Sequence, residues 1–176
     1  MQNKNTQEFD DIIRDIIENP KVQEMKKYKQ HYETSTFDHC YMVSYYCYKV
    51  CKKLKLDYKS AARAGMLHDF FLYDWRIKNG RKGLHAFTHG KTACKNASEL
   101  FELSEKEKDM IIKHMWPVTP QFPKSKEGFI LTFIDKHCAL AEAIKVLKKN
   151  IHKSKVWRYA YIFLAMIVLK INKGNN

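Results

Sequence analysis

Apolar residues recur at intervals of three and four along most of the chain, which is the period of an amphipathic α-helix. In the first such stretch Phe9, Ile12 and Ile16 fall on one stripe, and Asn19-Pro20 then interrupts the pattern. The same period predicts helices at about residues 6–18, 21–30, 38–55, 58–73, 89–101, 105–115, 129–144 and 156–171. We therefore predict an all-α fold, a compact bundle of about seven helices.

Polar signals mark where several of these helices begin. Ser35 stands just before the helix that starts near Asp38, and Ser104 with Glu107 has the Ser-x-x-Glu spacing of a capping box. Residues 77–84 contain two glycines and several charges without any apolar period, which predicts a loop. On helix 38–55 we expect a core stripe, consisting of Val43, Tyr46, Cys47, Val50, Cys51 and Leu54.

The last apolar stretch, Val156–Ile171, is the one segment that could touch a membrane. A spanning helix needs about 20 apolar residues, whereas this segment is 16 residues long and includes Arg158 and Lys170. We interpret it as a buried core helix and predict no transmembrane segment. The chain of 176 residues then suits one domain.

Charge and cysteine content narrow the choice of partners and compartment. The 32 lysines and arginines exceed the 19 acidic residues, and the formal charge of +13 favours an anionic partner. Because the lysines are spread over several segments, solvated helix faces explain most of them, and nucleic acid is a possible but not a favoured partner. Five cysteines at mostly apolar positions are typical of reduced core residues, and the N-terminus has no apolar signal region, so we expect a cytoplasmic protein.

Six ionisable side chains fall on or beside apolar helical positions: His39, His68, Asp69, His89, His114 and Asp135. A single histidine on an apolar face is usually a satisfied core residue. Six such groups are harder to satisfy separately in one small helical protein, because a buried carboxylate needs a cation, a metal or a full set of donors. Imidazole with carboxylate is a ligand set for zinc, manganese, iron or nickel.

The order of these residues resembles a known signature. His39, then His68-Asp69, then Asp135 is similar to the H…HD…D pattern of the HD-domain metal-dependent phosphohydrolases, an all-helical superfamily. His89 and His114 fall between the pair and Asp135, as two histidines do in the dinuclear members. The resemblance covers about residues 36–145 and implies a single HD-type domain over 1–176, with helices 6–30 and 153–171 packed on that core.

The resemblance also implies which of these residues would bind each of two metal ions. One divalent transition metal ion would be held by His39, His68, Asp69 and Asp135, and a second by Asp69, His89 and His114, so that Asp69 bridges two ions of iron, manganese, zinc or nickel. Such a pair activates a water and clamps a phosphoryl group. We therefore expect hydrolysis of a phosphate ester or phosphoanhydride, with a nucleotide or related small phosphorylated molecule as substrate.

Several positions near the signature leave alternatives open. His85 lies four residues before His89, so either could be the ligand; we favour His89 and expect His85 to support it or to donate a proton to the leaving oxygen. Lys136 is a candidate phosphate contact because it directly follows Asp135. Leu72 stands where many relatives carry a lysine, and Arg76 is a candidate to replace that contact. The basic residues of the 77–84 loop, Lys78, Arg81 and Lys82, are further candidates.

Three other functions fit the same pattern. A mononuclear phosphohydrolase would use only His39, His68, Asp69 and Asp135. A dinuclear iron oxygenase is known on this scaffold, and a non-catalytic module could keep the fold and bind nucleotide or membrane. The oligomeric state is left open by the sequence.

Overall fold

Helices dominate the part of the chain that the computed structural model describes, which comprises residues 4–31, 34–77, 80 and 83–153. In chain order the helices are α1 (Lys4–Ile17), α2 (Pro20–Gln23), α3 (Thr36–Lys53), α4 (Tyr58–Leu67), α5 (His85–Ser98), α6 (Glu105–Lys113) and α7 (Lys126–Lys153). A 3-10 turn (Glu24–Lys27) and two short antiparallel strands, β1 (Lys29–His31) and β2 (Thr34–Ser35), connect α2 to α3. The predicted all-α class is confirmed.

Side-chain caps explain where α3 and α6 begin. The Oγ atom of Ser35 accepts a hydrogen bond from the backbone N–H of Asp38 at 3.1 Å, as predicted. Ser104 and Glu107 form the predicted capping box, in which each side chain accepts from the other residue's backbone N–H. These caps satisfy N–H groups that the first helical turn leaves without a partner.

The predicted end of α4 near Tyr73 is wrong. The helix ends at Leu67, and His68 is its C-cap, so the His68-Asp69 pair follows the helix instead of lying within its last turns. The Nδ1–H group of His68 donates to the carbonyl of Gly65 at 2.8 Å, and a tight turn brings the N–H of Phe71 to the carbonyl of Asp69. Both carboxylate oxygens of Asp69 are thereby presented beyond the end of the helix.

Two other boundaries also differ from the prediction. Residues 21–30 are not one helix, because α2 and the 3-10 turn are followed by β1. Helix α5 begins at His85, one turn before the predicted start at His89. As a result, His85 and His89 occupy successive turns of one helix.

Helices α3 and α4 pack closely against each other in the core. A Cβ atom built at Gly65 would lie 2.8 Å from the Cα atom of Ser44, so only glycine allows this approach. Of the stripe predicted on α3, three members are buried, and the prediction is wrong for the other three, since Tyr46, Val50 and Leu54 are 37–56% exposed. The five cysteines are buried and free, as predicted.

Helix α7 is apolar on two opposite sides. Leu131 and Cys138 face the core, whereas four large apolar side chains on the other side are exposed, namely Phe133, Leu140, Ile144 and Leu147. The helix continues to Lys153, past the predicted end at residue 144. The rest of the predicted C-terminal helix 153–171 lies outside the described residues. Among the helices that the structure describes, none has an apolar stretch long enough to cross a bilayer.

We expect Gly65→Ala to destabilise the protein by about 1–3 kcal/mol, because the added methyl group forces α3 and α4 apart in a close-packed core. Urea unfolding of the variant and the wild-type protein measures this difference. Lys59→Ala, an exposed change on the same helix, serves as the control and should alter stability by less than about 0.5 kcal/mol. Equal stability of the glycine and alanine proteins would contradict the close approach of the two helices.

Candidate metal centre

The ends and inner faces of five helices converge on one buried cluster. It contains all six predicted metal ligands: His39 in the first turn of α3, His68 and Asp69 at the end of α4, His89 on α5, His114 at the end of α6, and Asp135 on α7. Each of these residues is at most 8% exposed. The structure therefore brings together side chains that lie up to 96 residues apart in the sequence.

Asp69 occupies the middle of the cluster. Its Oδ1 atom lies 3.2 Å from Nε2 of His89 and 3.5 Å from Nε2 of His114, while its Oδ2 atom lies 3.5 Å from Nε2 of His68. The same Nε2 atom of His68 is also 3.5 Å from Oδ1 of Asp135, and this oxygen is 3.1 Å from Nε2 of His39. One carboxylate thus faces two separate sets of imidazoles.

Backbone carbonyls fix the tautomers of three of these histidines. The Nδ1 atoms of His68, His89 and His114 each lie 2.7–2.8 Å from a carbonyl oxygen, so each Nδ1 carries a proton and donates it. The acceptors are the carbonyls of Gly65, His85 and Ile111. Each Nε2 lone pair is left pointing into the cluster.

These inward lone pairs call for a cation. Nε2 of His89 and Nε2 of His114 are 2.8 Å apart, and two such lone pairs repel each other unless a proton or a metal ion is shared between them. Nε2 of His68 and Oδ1 of Asp69 are buried without a hydrogen-bond partner. Three overlapping groups of ligand atoms, each spanning at most 4.8 Å, are drawn from the six residues. The residues present therefore fit a bound metal ion.

Burial and neighbouring charges set the protonation of the cluster. Burial raises the pKa of Asp69, but the neighbouring histidines, His68 above all, outweigh burial and lower that pKa to about 2. Burial lowers the pKa of His114 to about 3 against the opposing charge of Asp69. Without metal, Asp69 and Asp135 stay ionised and His114 stays neutral, which are the states that bind a metal ion. The raised pKa values of His39 and His68 mean that an entering metal ion displaces their protons.

Two side chains in the cluster were not predicted from the sequence. Glu142 on α7 accepts a hydrogen bond from Nδ1–H of His39 at 3.0 Å, and Gln30 on β1 donates one to Oδ2 of Asp69. Glu142 follows Asp135 by seven residues, two helical turns, so a glutamate on this otherwise apolar face was a usable signal. Gln30 gave no such signal, because its strand was predicted as part of a helix.

His85 lies beside the cluster, against His89. The two rings stack with centroids 4.4 Å apart, and the ring of Trp75 stacks on the other side of His85 at 5.5 Å. The hydroxyl of Tyr73 is 3.3 Å from Nδ1 of His85. Among the described residues, the groups of potential ligands include His89 and leave His85 out.

The predicted phosphate contacts differ in their surroundings. Lys136 borders the cluster, because its Nζ atom donates to the carbonyl of His114 at 2.9 Å and lies 3.8 Å from Oδ2 of Asp135. Arg76 is half exposed and forms two hydrogen bonds with Asp74, at 2.8 and 2.6 Å. The basic positions of the neighbouring loop, Lys78, Arg81 and Lys82, lie outside the described residues.

Comparisons with models of protein families, with curated proteins and with solved structures found no match. The function is therefore argued from the ligand pattern in the sequence and from the geometry of the buried cluster. That geometry supplies imidazole nitrogens and carboxylate oxygens, which together suit divalent transition metals.

Proposed function

We propose that this protein is a metal-dependent phosphohydrolase that cleaves a phosphate ester or phosphoanhydride of a small molecule, with nucleotides as the first class to test. Two divalent transition metal ions would be held by the six buried ligands. The observation that carries the proposal is the position of Asp69, whose two oxygens face His68 on one side and His89 with His114 on the other. A carboxylate in this position suits a bridge between two ions.

The chemistry of such a site follows from its parts. Metal ions bound by these six residues would supply a water of lowered pKa and positive charge for the phosphoryl oxygens. Asp69 would contribute an oxygen to each metal position. The backbone carbonyls that accept hydrogen bonds from the histidines hold the rings in the orientation that binding requires. Lys136 adds a positive charge at the border of the cluster, where a phosphate oxygen can be neutralised.

The direct test combines metal analysis with a phosphate-release assay. The purified full-length chain is loaded with Mn²⁺, Ni²⁺, Fe²⁺ or Zn²⁺ and incubated with nucleoside mono-, di- and triphosphates. We expect release of phosphate by at least one metal-loaded form and its loss after chelation. A chain that binds none of these ions overturns the proposal, and oxygen consumption by an iron-loaded chain without phosphate release supports the oxygenase instead.

His85 is the candidate proton donor to the leaving oxygen. Replacing it with asparagine should lower kcat by about 10²–10⁴-fold, the usual contribution of a general acid, while the metal content stays unchanged. Elemental analysis and turnover are measured on the same sample. His137→Asn, a change at an exposed histidine on α7, is the matched control. Loss of a metal ion from the His85 variant would show that His85 is a ligand.

A further inference from the structure

The charged side chains of the cluster do not balance. Three carboxylates, those of Asp69, Asp135 and Glu142, are each at most 8% exposed. Among the described lysines and arginines, Lys136 is the one that forms an ion pair with any of them. Imidazoles that bind a metal ion are neutral, and in that state the described side chains of the cluster carry two excess negative charges. One divalent ion cancels this excess, and a second leaves two positive charges.

The negative charge is also distributed unevenly between two overlapping halves. In the His39 half (His39, His68, Asp69 and Asp135), Nε2 of His39 is 3.1 Å from Asp135 and its Nδ1 is 3.0 Å from Glu142. One oxygen of Glu142 accepts this bond from His39, and its other oxygen is buried without a hydrogen-bond partner.

The His89 half (Asp69, His89 and His114) has a more neutral surrounding. Nδ1 of each of its histidines donates to a backbone carbonyl and not to a carboxylate, and Asp69 is shared with the other half. A carboxylate behind a histidine makes the ring a stronger ligand than a carbonyl does. The His39 half therefore has the higher affinity for a cation.

A second ion meets a less favourable balance. It enters a buried site whose excess negative charge the first ion has already cancelled. Uncompensated buried charge costs on the order of several kcal/mol. An anion that arrives with the second ion removes this cost. A phosphate group carries the required charge and has oxygens that two ions can share.

We propose that the cluster fills in sequence: the His39 half binds a divalent ion first, and the His89 half binds the second ion together with a phosphate-type anion. This inference rests on the proposed function, since it assigns an order to the same metal site. By linkage, phosphate and the second ion raise each other's affinity by one common factor, typically about 5–150-fold. The substrate would thereby complete the site that acts on it.

The test is an equilibrium dialysis of the full-length chain against Mn²⁺ at buffered free concentrations, with inorganic phosphate or with chloride at equal ionic strength. We expect one Mn²⁺ per chain over a range of concentrations in chloride. In phosphate, two Mn²⁺ and one phosphate per chain are expected, and the EPR spectrum should change from that of isolated to that of spin-coupled manganese.

The possible failures can be told apart. Two Mn²⁺ ions binding equally well with and without phosphate would overturn the sequential order but leave the proposed function intact. No bound Mn²⁺ in either arm would overturn both. Phosphate-coupled loading of a chain that hydrolyses none of the tested nucleotides would support the order of filling and count against the proposed function.

Variants test the two halves separately. Glu142→Gln removes one negative charge and keeps an acceptor for His39, so we expect about 10–100-fold weaker binding of the first ion. In this variant phosphate should strengthen the binding of the first ion as well. His114→Ala should keep the first ion and lose the phosphate-dependent second one. Glu102→Gln, at an exposed glutamate, is the control for the charge change. Unchanged binding of the first ion in Glu142→Gln would contradict the role of Glu142.

Discussion

Asp69→Asn should abolish hydrolysis and the binding of paired metal ions while the helices stay in place. Asp69 is the one ligand shared by the three-residue sets around His39 and around His89 with His114. Asparagine has nearly the same shape but lacks the negative charge and offers one oxygen where the carboxylate offers two. Each half of the cluster therefore loses a ligand atom or its charge, and we expect turnover to fall by at least about 10³-fold.

The same substitution should destabilise the metal-free protein. The pKa of Asp69 is lowered to about 2 in the folded state, so folding favours its ionised form, and asparagine leaves the positive charge of His68 without this partner. Metal content, turnover and urea unfolding are measured together, with Asp11→Asn on the exposed side of α1 as the control. A variant that keeps two ions and full activity would refute the bridging role of Asp69.

The six residues of the cluster could be found from the sequence because each lies on or beside a different apolar helix, apart from the adjacent pair His68 and Asp69. Each residue can be recognised within its own segment, and the fold then brings the segments together. The end of α4 could not be predicted in the same way. Phe70 and Phe71 are buried and continue the apolar period, so nothing in the pattern distinguishes a helix from the turn that follows His68.

Gly90 shows another limit of sequence reading. A Cβ atom at this position would lie 2.8 Å from the carbonyl oxygen of Ile112 and 3.0 Å from that of Ile111. The carbonyl of Ile111 is the acceptor that holds the ring of His114. The glycine thus allows α5 to approach α6 where His89 and His114 meet. This contact joins segments more than 20 residues apart, so no local pattern contains it.

The metal-free protein should lose stability as pH rises from 6.5 to 8.5. Burial lowers the pKa of His39, but hydrogen bonds with Asp135 and Glu142 outweigh it and raise that pKa to about 10 in the folded state. In the unfolded chain the ring titrates near 6.5. Above that pH the folded state holds a proton that the unfolded state has released, so each increase in pH favours unfolding. His39 contributes about 2 kcal/mol to the loss over this range. His68, whose pKa is also raised in the folded state, adds to the loss.

Metal binding should remove this pH dependence, because a metal ion replaces the proton on Nε2 of His39 and its affinity grows as pH rises. Urea unfolding at several pH values, with and without Mn²⁺, measures both slopes. The range stops at pH 8.5 because burial raises the pKa of Cys47 and other thiols, whose ionisation in the unfolded chain adds a second slope at higher pH. His137→Asn should keep the slope of the metal-free wild type, and His39→Asn should reduce it to the part that His68 contributes. Equal slopes with and without metal would show that no metal ion binds at His39.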